Sequence, residues 1–124
     1  MIISNQSSIY EVQQAFQQKF PYLKLEFYDT EHAIGEGSAP NRPYRDSSQT
    51  IGNIRSKSGT ESFTIKEQVS VATLERTFFR QYGLNIRVFR KAGHCWLETA
   101  ATDHWTLEQQ NTKGQGYVKR GALA

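Results

Sequence analysis

The sequence predicts an α+β fold, with a mostly antiparallel sheet of four to five strands and two amphipathic helices on one face. Two segments have the spacing of an amphipathic helix, and each is followed by the alternation of a half-buried strand. The 124 residues suffice for one domain, and 37% hydrophobic with 12% aromatic residues suffice for a packed core. A ferredoxin-like arrangement is the nearest familiar topology, although the sequence does not determine strand order.

The first helix is predicted to begin after Ser8, because Ser8 and Glu11 form a capping box that satisfies free N–H groups. Apolar residues recur at helical spacing from there, and Pro21 ends the helix because proline cannot donate the next hydrogen bond. Alternating apolar and polar side chains at 23–28 then indicate a half-buried strand.

The same pattern returns 62 residues later, where Ser70 begins a second helix and Gly83 ends it ahead of another alternating strand. The apolar positions that match are Val12 with Leu74, Phe16 with Phe78, and Phe20 with Tyr82. One interpretation is the internal duplication of a strand-helix-strand unit. The other is the ordinary likeness of two amphipathic helices that lead into strands, and the sequence leaves both open.

Residues 84–99 are predicted to form a β-hairpin with Ala92 and Gly93 as its two-residue turn, since glycine tolerates the positive φ that such turns need. This register places an aromatic pair and an opposite-charge pair on one face of the sheet, and both kinds of pair stabilise sheets. These pairs are Phe89 with Trp96 and Arg87 with Glu98.

The end of the chain carries a weaker signal. Thr106 and Gln109 fit another capping box, which predicts a short helix to about Asn111. A single α+β domain is therefore predicted to span residues 1–113, with a flexible basic tail at 114–124. Frequent Gly, Ser, Pro and Asn between the two units predict a long polar loop at about 30–60, most mobile at 35–48.

Charge and cysteine content bound the setting in which the protein works. Fifteen Lys and Arg against twelve Asp and Glu give a net charge of +3, which permits an anionic partner without requiring one. With Cys95 as its single cysteine, the chain forms no intramolecular disulfide and fits a reducing compartment. No apolar run is long enough for a membrane span, and the first residues lack the features of a secretory signal. The sequence therefore predicts a soluble cytoplasmic protein with no membrane partner.

A cysteine nucleophile is the enzyme hypothesis that the composition offers, with Cys95 as thiolate, His104 as its base and Asp103 nearby. The hairpin register argues against it, because Cys95 shares a face with Val88 and Leu97 and is expected to be a small buried hydrophobe. No spacing of histidines and cysteines fits a zinc site, and no glycine-rich loop fits a phosphate site. We therefore expect no catalytic residue, no metal and no cofactor, and a small Cys/His enzyme is the least favoured alternative.

Single-stranded nucleic-acid binding is the stronger alternative. Residues 1–62 carry six basic and seven acidic residues, and residues 63–124 carry nine and five, so the excess positive charge lies in the second half. Basic residues there are interspersed with aromatic ones, as in grooves that hold single strands. The periodicity nevertheless places Arg76 and Arg80 on a different side of the fold from Arg87. That division is typical of a solvated surface, so nucleic acid is not the favoured partner.

Phe89 and Trp96 are expected on the sheet face turned away from the two helices, where large aromatic side chains need a cover. Three covers are open: residues 102–111 folding back with Trp105 and Leu107, a second copy of the chain, or another protein. The sequence therefore predicts a non-catalytic protein-interaction or regulatory module that self-associates or binds a protein partner. Its candidate interaction surface consists of Arg87, Phe89, Trp96, Glu98 and Trp105.

Two segments in the last third of the chain carry a resemblance to other proteins. The hairpin reads R-K-x-G-x-x-W-L-E-T from Arg90 to Thr99, and a T-D-x-W-T-L-x-x-Q-N segment runs from Thr102 to Asn111. In these segments the chain resembles a small family of bacterial proteins to which no activity is attached. The resemblance implies a bacterial intracellular protein and no mechanism, and it adds nothing for the first half of the chain.

Overall fold

The computed structural model describes residues 1–29, 42–44 and 46–123, without the side chains of residues 29, 42 and 117–123. The predicted α+β class is confirmed. The strands are β1 (Ile2–Ile3), β2 (Leu23–Asp29), β3 (Arg42–Pro43), β4 (Phe63–Thr64), β5 (Asn85–Ala92) and β6 (Cys95–Glu98). The helices are α1 (Ile9–Lys19), α2 (Ile51–Ile54), α3 (Val71–Tyr82) and α4 (Leu107–Leu123), with a 3-10 helix at Ala100–Thr102. Most of the segment predicted to be mobile, 35–48, lies outside the described residues.

The strands form two separate antiparallel sheets. The larger sheet has the order β3-β2-β5-β6, and the smaller one pairs β1 with β4. Because β1 and β4 stand apart from the larger sheet, the arrangement departs from the ferredoxin-like topology. Helices α1, α3 and α4 pack on one face of the larger sheet, around a core that includes the buried alternate side chains of its strands.

Each half of the chain contains two helices whose N-cap residues lie side by side. Ser8 pairs with Thr50 in one isolated antiparallel bridge, and Ser70 pairs with Thr106 in another. Around each bridge, the first two residues of both helices donate backbone hydrogen bonds to the same relative positions. Around the first bridge, Ile9 and Tyr10 donate to the carbonyls of Gln49 and Ser47, and Ile51 and Gly52 donate to those of Ser7 and Asn5. Around the second bridge, Val71 and Ala72 donate to the carbonyls of Trp105 and Asp103, and Leu107 and Glu108 donate to those of Val69 and Glu67. The helix starts predicted after Ser8, Ser70 and Thr106 are confirmed.

The buried core repeats in the same way. Among the described residues it contains nine apolar side chains from each half, all of them at most 2% exposed. In chain order, Ile3, Ile9, Val12, Phe16, Phe20, Leu23, Leu25, Phe27 and Ile51 match Ile65, Val71, Leu74, Phe78, Tyr82, Leu84, Ile86, Val88 and Leu107. A chance likeness between two amphipathic helices would not also reproduce the paired N-caps and the buried positions of the strands. The structure therefore supports the internal duplication.

The two units meet along their equivalent strands, β2 and β5. These strands pair antiparallel with Glu26 opposite Arg87, and the two residues occupy the same position in their respective units. An antiparallel pair of equivalent strands relates the units by an approximate two-fold axis, as in an isologous dimer. The domain therefore resembles a symmetric dimer whose two halves are joined in one chain.

The β5–β6 hairpin forms as predicted, but its register is shifted by two residues. Gly93 and His94 form the turn, and Phe89 lies opposite Glu98 instead of Trp96. Gly93 has a φ of +63° and occupies the first central position of the turn, whereas the prediction placed it second. A shift by two preserves the face of every side chain, so the four residues of the predicted pairs still share one face.

Helix α4 runs to Leu123, whereas the sequence predicts a helix only to about 111 and a flexible tail from 114. Gly114 stays inside the helix because it approaches the sheet closely. A Cβ at this position would lie 2.9 Å from Cβ of Tyr22 and 3.2 Å from Cγ of Arg90. Packing of this kind overrides the low helix propensity of glycine. Among the helices of the described residues, none has the length and apolar character that crossing a membrane requires.

The Arg55 side chain is 4% exposed and connects three segments beside the end of α3. It donates hydrogen bonds to Oδ1 of Asn5 and the Gly59 carbonyl, both at 2.7 Å, and to the Gln81 carbonyl at 2.9 Å. Its guanidinium carbon lies 4.7 Å from the centre of the Tyr82 ring. A buried guanidinium is stable only when its donors are satisfied. These hydrogen bonds, together with the one from Nε to the Lys57 carbonyl, occupy four of its five N–H groups.

We expect Phe16→Ala and Phe78→Ala each to lower the free energy of unfolding by about 3–5 kcal/mol, because each change removes a fully buried ring. Urea denaturation measures the change. Phe79→Ala is the matched control, since Phe79 lies on α3 beside Phe78 but is 49% exposed. If thermal denaturation gave both core variants a melting temperature within about two degrees of the parent's, the buried faces of α1 and α3 would be wrongly assigned.

Arg55→Met keeps an elongated side chain but leaves the carbonyls of Gly59 and Gln81 without their charged donor. We expect it to cost about 2–4 kcal/mol of unfolding free energy, because part-buried acceptors lose hydrogen bonds to a charged group. Glu61→Gln is the control. Oε2 of Glu61 lies 3.9 Å from Nη2 of Arg55, but the Glu61 side chain is largely exposed, so we expect the change to lower the free energy of unfolding by less than about 1 kcal/mol. Equal, small effects of the two changes in urea denaturation would contradict the connecting role.

Candidate interaction surface

Strand alternation places one set of side chains on the face of the larger sheet that turns away from the helices. This outer face consists of Lys24, Glu26, Tyr28, Arg87, Phe89, Lys91, Trp96 and Glu98. None of these residues belongs to the buried core, and the described helices pack their apolar sides on the opposite face. Four of the five residues that the sequence predicts as an interaction surface therefore lie together on the outer face.

Two ammonium groups lie over the aromatic rings of the outer face. Nζ of Lys24 is 5.3 Å from the centre of the Phe89 ring and 5.2 Å from that of the Trp96 ring. Nζ of Lys91 is 4.9 Å from the centre of the Trp96 ring. Such cation–π contacts are attractive. Both rings are partly exposed, so these four residues, the aromatic–lysine cluster, are reachable from solvent.

Carboxylates stand beside the aromatic–lysine cluster. Oε1 of Glu26 is 3.8 Å from Nζ of Lys24, and Oε1 of Glu98 is 3.5 Å from Nε of Arg87. The predicted pair of Arg87 and Glu98 thus forms, although the two residues are diagonal neighbours and not directly opposite each other. The outer face therefore presents charges of both signs around its aromatic centre.

Tyr28 occupies the position in the first unit that Phe89 occupies in the second. Burial raises the pKa of the Tyr28 hydroxyl, and the carboxylates of Glu26 and Glu98 raise it further, against the opposing effect of Arg87. The hydroxyl therefore stays neutral at physiological pH. It adds a polar aromatic group to the outer face without adding charge.

Arg87 also lines a cleft of about 300 Å³ between α3 and the larger sheet. Glu75 of α3 contributes to the same cleft, with Oε1 3.8 Å from Nη1 of Arg87. Burial raises the pKa of the Glu75 carboxyl, Arg87 lowers it, and Asp103 and Glu98 raise it. Arg87 is thus shared between Glu75 and Glu98, which fixes its side chain at the border of the outer face.

Trp105, the fifth predicted surface residue, lies apart from the outer face. Its ring centre is 5.7 Å from the guanidinium carbon of Arg90, which donates a 2.7 Å hydrogen bond to Oε1 of Gln110 in α4. Leu107 is fully buried in the core on this helical side of the sheet. The hypothesis that residues 102–111 fold back over the aromatic pair is therefore wrong, because burial of Leu107 anchors this segment on the opposite face.

Cys95 is exposed, contrary to the expectation that it is a buried hydrophobe. It begins strand β6 directly after the turn, and within the described residues β5 is the single strand that pairs with β6. The rings of His104 and Trp105 lie edge to face, with their centres 6.4 Å apart. No group of three or more His, Cys, Asp or Glu within the described residues could hold a metal ion. Exposure removes the burial argument against a reactive thiol, but exposure alone does not make a cysteine a nucleophile.

Comparison of the chain with protein-family models, with curated proteins and with solved structures gives no match. The internal repeat offers a comparison within the chain instead. The two units carry similar apolar residues at equivalent core positions but different residues at equivalent positions of the outer face. There, Glu26 is equivalent to Arg87, and Lys24 is equivalent to Asn85. The two units therefore share an architecture but present different chemistry to a partner.

Sequence reasoning missed Lys24 and Glu75 as neighbours of this surface. The alternation of β2 does place Lys24 on the same face as Tyr28, and that signal was available. Its position opposite Phe89 depends on the pairing of β2 with β5, which no local pattern reveals. Glu75 reaches Arg87 only because α3 packs beside β5.

The raised pKa of Glu75 predicts a pH-dependent contribution to stability. In the interval between the unfolded-state pKa and the higher folded-state pKa, the folded chain binds more protons, so stability falls as pH rises through that interval. We expect the stability of Glu75→Gln, which stays neutral, to increase relative to that of the parent as the pH rises from about 4 through this interval. Urea denaturation over this pH series measures the difference, and parallel curves for the two proteins would contradict the assignment.

Proposed function

We propose that this protein is a non-catalytic interaction module that binds a protein partner through the outer face of its larger sheet. The observation that carries the proposal is the aromatic–lysine cluster of Phe89, Trp96, Lys24 and Lys91, which is partly exposed on that face. Large aromatic side chains are enriched among the few residues that dominate binding energy at protein interfaces.

The mixed charge of the outer face favours a protein partner over a nucleic acid. Glu26 lies beside Lys24 and Glu98 lies beside Arg87, so a phosphate backbone would meet carboxylates next to the cations. Phosphate neutralisation by cations is what gives nucleic-acid binding most of its affinity. A protein surface carries charges of both signs and can complement such a pattern. Single-stranded nucleic acid is accordingly the alternative outcome of the test.

The support beneath the cluster suits a binding surface. Strands β2 and β5 pair over six consecutive residue pairs, from Leu23 with Arg90 to Tyr28 with Asn85. The lysine contacts restrict the two rings before a partner arrives, which reduces the side-chain entropy lost on binding. A partner therefore meets a largely preformed surface.

The setting that we propose is the cytoplasm of a bacterium. The exposed thiol of Cys95 fits a reducing compartment, where it is not oxidised. The resemblance of residues 90–111 to a bacterial protein family supports the same setting. Membership of that family is part of the proposal.

The test compares variants of the full chain that differ only on the outer face. Immobilised parent protein is used to isolate binding proteins from a bacterial lysate, and each candidate partner is then purified and titrated. We expect Phe89→Ala and Trp96→Ala each to weaken binding about 10- to 30-fold, the range for interface residues that dominate affinity. Phe79→Ala is the matched control, because Phe79 is also an exposed ring with an ammonium nearby, Nζ of Lys57 at 5.2 Å, but lies on α3.

Capture alone does not decide the question. A partner whose affinity falls in both outer-face variants and is kept in Phe79→Ala supports the proposal. A partner that binds all three variants like the parent contradicts it. Affinity for single-stranded RNA or DNA that falls steeply with salt and is lost in the outer-face variants would replace the protein partner by a nucleic acid.

A further inference from the structure

The two edges of the larger sheet are equivalent by the internal repeat but differ in their ability to accept another strand. Pro43 of β3 lies opposite Tyr28, and Glu98 of β6 occupies the matching place opposite Phe89. Proline lacks an N–H group, and a proline on an edge strand opposes the pairing of a further strand. None of the four residues of β6, Cys95–Glu98, is a proline or a lysine, so this edge lacks both common blocking residues.

The hydrogen bonds of β5 reveal which backbone groups of β6 point outward. The Thr99 N–H donates to the Val88 carbonyl, whereas the Lys91 N–H donates to the opposite side, toward β2. Hydrogen-bonded and non-hydrogen-bonded pairs alternate along an antiparallel ladder. Trp96 and Glu98 therefore direct their N–H and C=O groups away from β5. Beyond β6, the described part of the chain contains no further strand.

We propose that a second copy of this chain pairs with β6 antiparallel along this edge, which turns two four-stranded sheets into one of eight strands. The outward N–H and C=O groups of Trp96 bond to the C=O and N–H groups of Glu98 in the second copy. By symmetry, those of Glu98 bond to Trp96 of the second copy. Leu97 then lies opposite Leu97 of the second copy, on the two-fold axis. This inference does not rest on the proposed function, because it depends on the outward backbone groups of the edge strand and not on a partner bound across the outer face.

Two observations favour a second copy in this register. Leu97 is 45% exposed although it is apolar, and pairing on the axis would bury it against its own copy. The register also sets Glu98 of the second copy beside Trp96, whose ring has Nζ of Lys24 at 5.2 Å and Nζ of Lys91 at 4.9 Å. The charges of the two copies are thus complementary. A register that placed Glu98 opposite Glu98 would bring like charges together.

The first experiment removes a single outward N–H group. In sedimentation equilibrium over a concentration series, we expect the parent chain to form a dimer and Glu98→Pro to remain a monomer. The change copies the proline that β3 carries at the matching position, and it removes no hydrogen bond within the monomer. Glu98→Gln is the matched comparison, because it keeps the N–H but loses the charge that pairs with Arg87 and complements the lysines of the second copy. We expect it to dimerise more weakly than the parent but, unlike Glu98→Pro, still to dimerise.

The second experiment tests the register and does not depend on Glu98→Pro folding. In a Cys95→Ser background, Leu97→Cys brings two thiols together on the axis, where side chains directly opposite each other are close enough for a disulfide. We expect a covalent dimer under mild oxidation. Gln18→Cys in the same background is the control and should stay monomeric. Gln18 is exposed on α1, which packs on β2, and β5 lies between β2 and β6 in the sheet.

The outcomes separate this inference from the proposed function. A parent chain that stays monomeric at every concentration overturns the edge pairing, and so does a dimer that persists in Glu98→Pro. Leu97→Cys that crosslinks no faster than Gln18→Cys overturns the register. Phe89→Ala reports on the outer face, and we expect it to leave the dimer intact.

Discussion

The antiparallel pairing of β2 with β5 is the constraint on which the rest of the structure depends. It joins two units that each contribute nine buried apolar side chains, and the combined set becomes one core. Either unit alone would be only marginally stable, because a shorter chain buries a smaller fraction of its surface on folding. The units also support each other at their helix-to-strand turns. Asn111 of the second unit accepts a 2.8 Å hydrogen bond from the Tyr22 N–H, and the Ser56 N–H of the first donates to the Tyr82 carbonyl at 2.9 Å.

The repeat keeps its core and varies its surface. Gln13 in α1 matches Glu75 in α3, and both residues contact the strand of their own unit. Gln13 donates a 2.9 Å hydrogen bond to the Leu25 carbonyl, while Glu75 pairs with Arg87. Buried positions have few acceptable replacements because any change in volume is felt throughout a packed core. Exposed positions lack that restriction, so the two units differ where a partner would meet them.

The second helix of each unit shows the largest divergence. Helix α2 has four residues and α4 has seventeen, although both begin with a threonine N-cap at matching positions. Arg55 directly follows α2 and matches Asn111 within α4. The first unit therefore closes its side of the core with a buried guanidinium, while the second unit closes its side with a long helix that packs through Gly114. The approximate symmetry of the core thus coexists with two different flanks.

The outer face combines features that the core excludes. Aromatic rings, ammonium groups and carboxylates lie within a few ångströms of one another on a surface that stays partly hydrated. Such contacts contribute little to stability when they are exposed, because solvent screens the charges. Their value lies in recognition, since a partner can complement both the rings and the pattern of charge.

The sequence by itself determined the helix starts and the face on which each strand residue lies. Capping at Ser8, Ser70 and Thr106 is a local interaction, and alternation along a strand depends only on parity, so both survive an error in pairing. Phe89 and Trp96 accordingly share a face although their predicted register was wrong by two residues.

Only the tertiary structure decided what lies beside each element. The opposite-face position of Trp105, the exposure of Cys95, the length of α4 and the approach of Lys24 to Phe89 all depend on packing between distant segments. The full match of nine core positions was also hidden, because the repeat preserves apolar character and burial more than residue identity. The physical reason is that propensity and periodicity act within a few residues, whereas register, cover and burial are set by which strands meet across the approximate two-fold axis.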